Sequence, residues 1–190
     1  MKVLAIHGSL RKGAFSSRLA AAAVDLAPEG VEVELYDALD SIPGFNQDLE
    51  PDRLPAGVVD LNRKLNDSDA LLIVTPEYNA SAPGALKNAI DWGSRPHGSS
   101  ALAGLPAAII SSSPMPFGGL WANQQIRKAF TITGSPTVER EVAIGKINEK
   151  LGADGQITDD KAREEVASLL TELEELVGQV KQETAEEAAA

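Results

Sequence analysis

The chain has 190 residues, 43% of them hydrophobic, which suits one globular domain with a core of its own. It contains no cysteine and only two histidines, His7 and His97, which excludes disulfide scaffolds, thiolate metal sites, iron–sulfur clusters and a cysteine nucleophile, and leaves too few ligands for an ordinary histidine zinc site. The net charge of −11 is concentrated from Leu151 onward, where eleven acids face three bases, and no basic stripe is present to release counterions from nucleic acid.

The N-terminal run Met1 to Gly8 is too short for a signal peptide and reads as a strand over Val3–Ile6, so a cytoplasmic protein is expected. No apolar run approaches the roughly 18–20 residues of a membrane span. Phe15, Leu19, Ala22, Ala23 and Leu26 recur at helical spacing. Val31 to Tyr36 alternates apolar and acidic residues, as a strand near a sheet edge does. Asp37 to Pro55 reads as a long loop, and Val58, Leu61 and Leu65 mark a second helix. Ala70–Val74 is the clearest buried strand, and Leu86, Ala89 and Ile90 place a helix behind Pro83, a residue well tolerated in a first helical turn. Ala107–Ile110 is a fourth strand, followed by a helix after Gly118-Gly119. Val138 to Val142 is a weaker fifth strand. A final helix carries the stripe Val166, Leu169, Leu170, Leu173, Leu176, Val177 and Val180. Residues 1–182 therefore form one domain, with 183–190 an acidic, alanine-rich disordered tail. Alternating strands and helices predict an α/β fold, a flavodoxin-like three-layer sandwich around a five-stranded parallel sheet in order 2-1-3-4-5.

Ligands of such sheets sit beyond the carboxyl ends of the strands, where strand order reverses. After strand one, Gly8-Ser9-Leu10-Arg11-Lys12-Gly13-Ala14-Phe15-Ser16-Ser17 opens a helix whose amides and dipole favour an anion, with Arg11 placed for a charge-assisted contact to a phosphate. Two look-alikes fail: Ala14-Phe15 stand where a nucleotide P-loop needs Lys and Ser/Thr, and no G-x-G-x-x-G occurs. After strand three, the loop Thr75 to Pro83 is stiffened by prolines, and its amides can edge a flat heteroaromatic ring with Tyr78 against the face. After strand four, Ser111 to Gly119 ends in two glycines that let a ligand approach the backbone. Trp92 reads as a packing residue. His7 reads as a satisfied strand-end histidine and His97 as a solvated one. A hydrolase is unsupported, since no G-x-S-x-G occurs and neither histidine has a partner motif.

The first of these loops resembles the Gly-Ser-x-Arg-x-x-Ser-x-Asn-x-x-Leu pattern of the NADPH-dependent FMN reductases. Pro76 to Trp92 is similar to that family's Pro-Glu-Tyr-Asn signature almost letter for letter. The similarity covers roughly residues 2–180 and is strongest to the bacterial quinone and chromate reductases of the group. The resemblance implies an FMN phosphate held by Ser9, Arg11, Ser16 and Ser17. It implies a flavin ring edged by Pro76, Glu77, Tyr78 and Asn79, with Ser113 and Gly118 on the far side. Ala14 replaces the family's serine and Ser16 its asparagine, which implies weaker FMN affinity unless Ser17 compensates. Met115 stands where close relatives carry glycine and reshapes the acceptor pocket.

The resemblance further implies a homodimer or homotetramer with the helix after Pro83 at the contact. A ping-pong hydride transfer from NADPH or NADH through FMN to a quinone or another small acceptor is expected. No catalytic acid or base and no metal are expected, and Glu77 is given a structural role. Two rivals are a flavodoxin-type electron carrier and a reductase of free FMN. The acid excess lies in the last helix and tail rather than around a cofactor face, which weakens the carrier reading.

Overall fold

The computed structural model describes residues 1–50 and 52–189. Five strands, β1 (Lys2–His7), β2 (Glu32–Tyr36), β3 (Ala70–Pro76), β4 (Ala107–Ser113) and β5 (Val142–Gly145), form one parallel sheet in the expected order 2-1-3-4-5. The helices are α1 (Phe15–Val24), α2 (Ala56–Asn66), α3 (Gly84–Gly93), α4 (Leu120–Thr133), α5 (Ile147–Lys150) and α6 (Asp160–Ala189).

The central strands are apolar on both faces because both are covered. Val3, Ala5, Leu72, Val74, Ala108 and Ile110 point to the layer of α1 and α6, where Leu19, Ala23, Leu169 and Leu173 meet them. Leu4, Ile6, Leu71, Ile73 and Ile109 point the other way, against Leu61, Leu86, Ile90, Ile126 and Phe130 of α2, α3 and α4. β2 pairs only with β1 and leaves Glu32 and Glu34 exposed, the wet alternation of an edge strand.

β5 departs from the expected Val138–Val142 and begins where that segment ends. Val138 is buried and donates its amide to the Ala107 carbonyl at 3.0 Å, so pairing does start there. Glu139, Arg140 and Glu141 are exposed, and the Arg127 guanidinium occupies the carbonyls of Val138 and Arg140. The ladder therefore resumes only at Val142. α6 also runs past Gln182 to Ala189, with every side chain from Lys181 onward exposed; Ala190 of the expected tail lies outside the described residues. Lys181 pairs with Asp69 at 2.7 Å, beside the amino end of β3. That contact and the Lys2 amide hold the Asp69 carboxyl below the usual aspartate range.

The loop from Asp37 to Pro55, which includes the undescribed Pro51, contains two single-turn 3-10 helices, Leu39–Ser41 and Gln47–Leu49. α3 pins it from below. The Asn88 side chain accepts from the Phe45 amide at 2.7 Å and donates to the Pro43 carbonyl at 2.8 Å. Trp92 is fully buried, donates Nε1–H to the same carbonyl at 2.9 Å and meets the Phe45 ring edge-on at 4.9 Å. The end of the Pro76–Trp92 signature thus serves packing, as expected for Trp92.

Candidate cofactor cleft

The loops after β1, β3 and β4 converge at the carboxyl rim of the sheet on a cleft of about 200 Å³. Seven of the ten residues expected at the site line it: Ser9, Arg11, Ser16, Pro76, Glu77, Tyr78 and Ser113. Ala14, Phe15, Ser112 and Pro114 complete the wall. A larger hollow of about 500 Å³ lies between α1 and residues 153–156, but the rim cleft is the one to which the three loops bring their polar groups.

α1 opens this cleft at its anion-attracting end. Its N-cap is Ala14, which offers no side-chain oxygen, and the first turn carries no acid. The leading amides are therefore left for another acceptor. The Arg11 side chain is exposed and makes no hydrogen bond or ion pair among the described residues, while its amide donates to Ser9 Oγ at 3.3 Å. Ser16 is 1% exposed and its hydroxyl has no hydrogen-bond partner. Ser112, also buried on the cleft wall, has the same unpaired hydroxyl. Native interiors seldom leave such groups unsatisfied, so both fit a polar ligand rather than an apolar one.

Ser17 is differently placed. Its hydroxyl donates to the Ala14 carbonyl at 2.9 Å and lines a neighbouring hollow with His7 and Asp37. His7 Nδ1 lies 3.1 Å from the Ser9 carbonyl, its Nε2 is 3.6 Å from Asp37, beyond hydrogen-bonding reach, and His97 is exposed.

The β3 loop closes as a two-residue hairpin in which Tyr78 and Ser81 exchange backbone hydrogen bonds of 2.9 and 3.1 Å. Asn79 and Ala80 at its tip have φ of 52° and 59°, and neither lines the cleft. Tyr78 faces the cleft with its hydroxyl 3.0 Å from Ser9 Oγ. Two contacts tie this hairpin to α4. Glu77 Oε2 accepts from the Trp121 and Ala122 amides at 3.0 and 3.2 Å, capping the helix. Gln125 Oε1 accepts from Ser81 Oγ at 2.8 Å and from the Ala82 amide at 2.6 Å. Sequence reasoning missed Gln125; no motif announces it. Because alanine pays a steric penalty at positive φ, Ala80→Gly is expected to raise stability by about 0.5–1 kcal/mol in urea unfolding, and an unchanged midpoint would show that the hairpin carries no strain.

Gly118, expected beside the ring, instead packs against the sheet. Its φ is +64°, and a Cβ there would lie 2.5 Å from the Ala143 backbone, so the glycine lets the turn into α4 pack against β5 and does not line the cleft.

The fold is flavodoxin-like, with the uncapped terminus of α1 and the aromatic-bearing β3 loop meeting at one cleft. The sequence profile of the NADPH-dependent FMN reductases matches residues 1–149, and the chain belongs to that family, whose cofactors are FMN and NAD(P)H. An NAD(P)H-dependent FMN reductase from Pseudomonas aeruginosa is 39% identical over 175 residues, covering 92% of this chain and 94% of its own. A quinone reductase from Pseudomonas putida is 38% identical over 159 residues, 78% of this chain and 85% of its own. Among solved structures, the flavoenzyme NAD(P)H:(acceptor) oxidoreductase FerB from Paracoccus denitrificans superposes with a TM-score of 0.82 at 33% identity, over 95% of this chain and 97% of its own. The chain is accordingly an FMN-dependent NAD(P)H oxidoreductase. Among the described residues, no helix is long and apolar enough to cross a membrane.

Proposed function

We propose that this protein passes two electrons from NAD(P)H to a quinone or similar small planar acceptor in a ping-pong cycle. FMN, when bound, would supply the two-electron hydride chemistry, while the protein supplies position and electrostatics. The observation that carries this reading is the convergence of the uncapped α1 terminus, Arg11 and the Tyr78 hairpin on one cleft. The first turn of α1, Arg11 and the hydroxyls of Ser9 and Ser16 hold the phosphate. Pro76, Glu77, Tyr78 and Asn79 present the backbone that edges the ring, and Ser113 stands across from them.

The Glu77 carboxylate is engaged by two amides of α4, so it does not act as a base, and water supplies the proton that completes a hydroquinone. Past Pro114 the chain exposes Met115, Phe117 and Trp121, the two rings stacked at 6.2 Å. This apolar shelf supports a flat, poorly charged acceptor. A homodimer or homotetramer in the cytoplasm belongs to the same proposal.

Initial rates with NADPH and a benzoquinone are expected to give parallel double-reciprocal lines. Intersecting lines would exclude the ping-pong cycle, and a purified protein that is colourless and takes up no added FMN would overturn the reading as a whole.

A further inference from the structure

β4 ends in three consecutive serines, and the fold gives each a different fate. Ser111 faces α4, with its hydroxyl 3.5 Å from the Val142 carbonyl. Ser113 accepts the Met115 amide at 3.1 Å, so its hydroxyl is engaged in the local turn. Ser112 alone is unpaired, although it is 2% exposed and lies on the cleft wall. Strand alternation explains the sorting: Ala108 and Ile110 face the α1 layer, and Ser112 follows them onto that side, toward Ser16.

We infer that Ser112 is a hydrogen-bond partner of the polyol chain that joins the phosphate and ring of the bound flavin, an assignment that rests on the FMN reading above. Ser112 pairs in register with Pro76, at the foot of the Tyr78 hairpin, and shares the cleft with the α1 terminus. It therefore lies between the region assigned to the ring and the region assigned to the phosphate. Its neighbourhood in the cleft offers no second cation beside Arg11, which suits a neutral partner. A polyol hydroxyl both donates and accepts, so it satisfies a lone serine whichever way the serine proton points. With no such partner, a buried hydroxyl destabilises the fold by its desolvation.

The test titrates the apoprotein with FMN and with riboflavin, which keeps the polyol but lacks the phosphate, following flavin fluorescence. Ser112→Ala is expected to weaken both ligands by the same factor, about three- to tenfold, the worth of one neutral hydrogen bond. The apoprotein melting temperature is expected to stay level or rise, because the substitution removes an unpaired polar atom. Unchanged affinity for both flavins overturns the assignment, and so does a loss confined to FMN, which would place the hydroxyl at the phosphate. Weaker binding together with a lower apoprotein melting temperature also overturns it, since that pattern marks a structural role. Wild-type protein that binds neither flavin overturns instead the FMN reading beneath it.

Discussion

Trp92→Ala is expected to lower the unfolding free energy by about 3–5 kcal/mol, the range for truncating a large buried aromatic residue. Three losses combine. The indole is fully buried and is among the largest side chains so enclosed, so its removal leaves a cavity in the layer between α3 and the sheet. The Pro43 carbonyl loses the Nε1–H donor, and Phe45 loses the edge-on contact that holds the 42–45 segment down. Urea unfolding followed by circular dichroism measures the change, and Trp92→Phe separates its parts by restoring most of the volume without the donor. A loss below about 1 kcal/mol for the alanine variant would mean that this loop lies outside the cooperative core. Because Trp92 does not line the cleft, FMN affinity measured well below the variant's melting temperature is expected to be unchanged.

Arg11→Ala is expected to weaken FMN binding by about 1.5–3 kcal/mol, or roughly ten- to a hundredfold, the usual worth of a hydrogen bond to a charged group. The residue stands beside an uncapped helix terminus, so the dipole and the guanidinium act on the same anion. Riboflavin, which has no phosphate, is expected to bind wild type and variant equally. Salt is expected to weaken FMN binding to the wild type more than to the variant, because one exposed charge has been removed. Equal FMN affinity in the two proteins would show that Arg11 is an ordinary surface residue.

Much of this architecture is legible in the sequence. Ala70–Val74 and Ala107–Ile110 are apolar at every position, which only strands covered on both faces require, and the helical stripes between them leave little freedom in topology. β5 is less legible because Val138 is buried and bonded like a strand residue, while the interruption after it depends on Arg127, a side chain of the preceding helix α4. The cleft is legible as three loops but not atom by atom. Period-two alternation says that Ser112 and Ser113 face opposite ways, yet a strand apolar on both sides gives no sign of which face looks toward α1. The phosphate loop hides a similar division between Ser16, whose hydroxyl is unpaired, and Ser17, whose hydroxyl is bonded to Ala14. The Pro76–Trp92 signature also mixes two tasks. Its first residues shape the cleft and its last, Asn88 and Trp92, fasten a loop on another side of the sheet.

The exposed last turns of α6 begin beside Asp69, at the amino pole of the strands, whereas the cleft opens at the carboxyl pole. Since the polypeptide has no thiol of its own, Glu186→Cys would create a single chemical handle on that far side. Immobilised through it on a gold electrode or a bead, the molecules would share one orientation, with the redox face turned to solution and open to diffusing reagents.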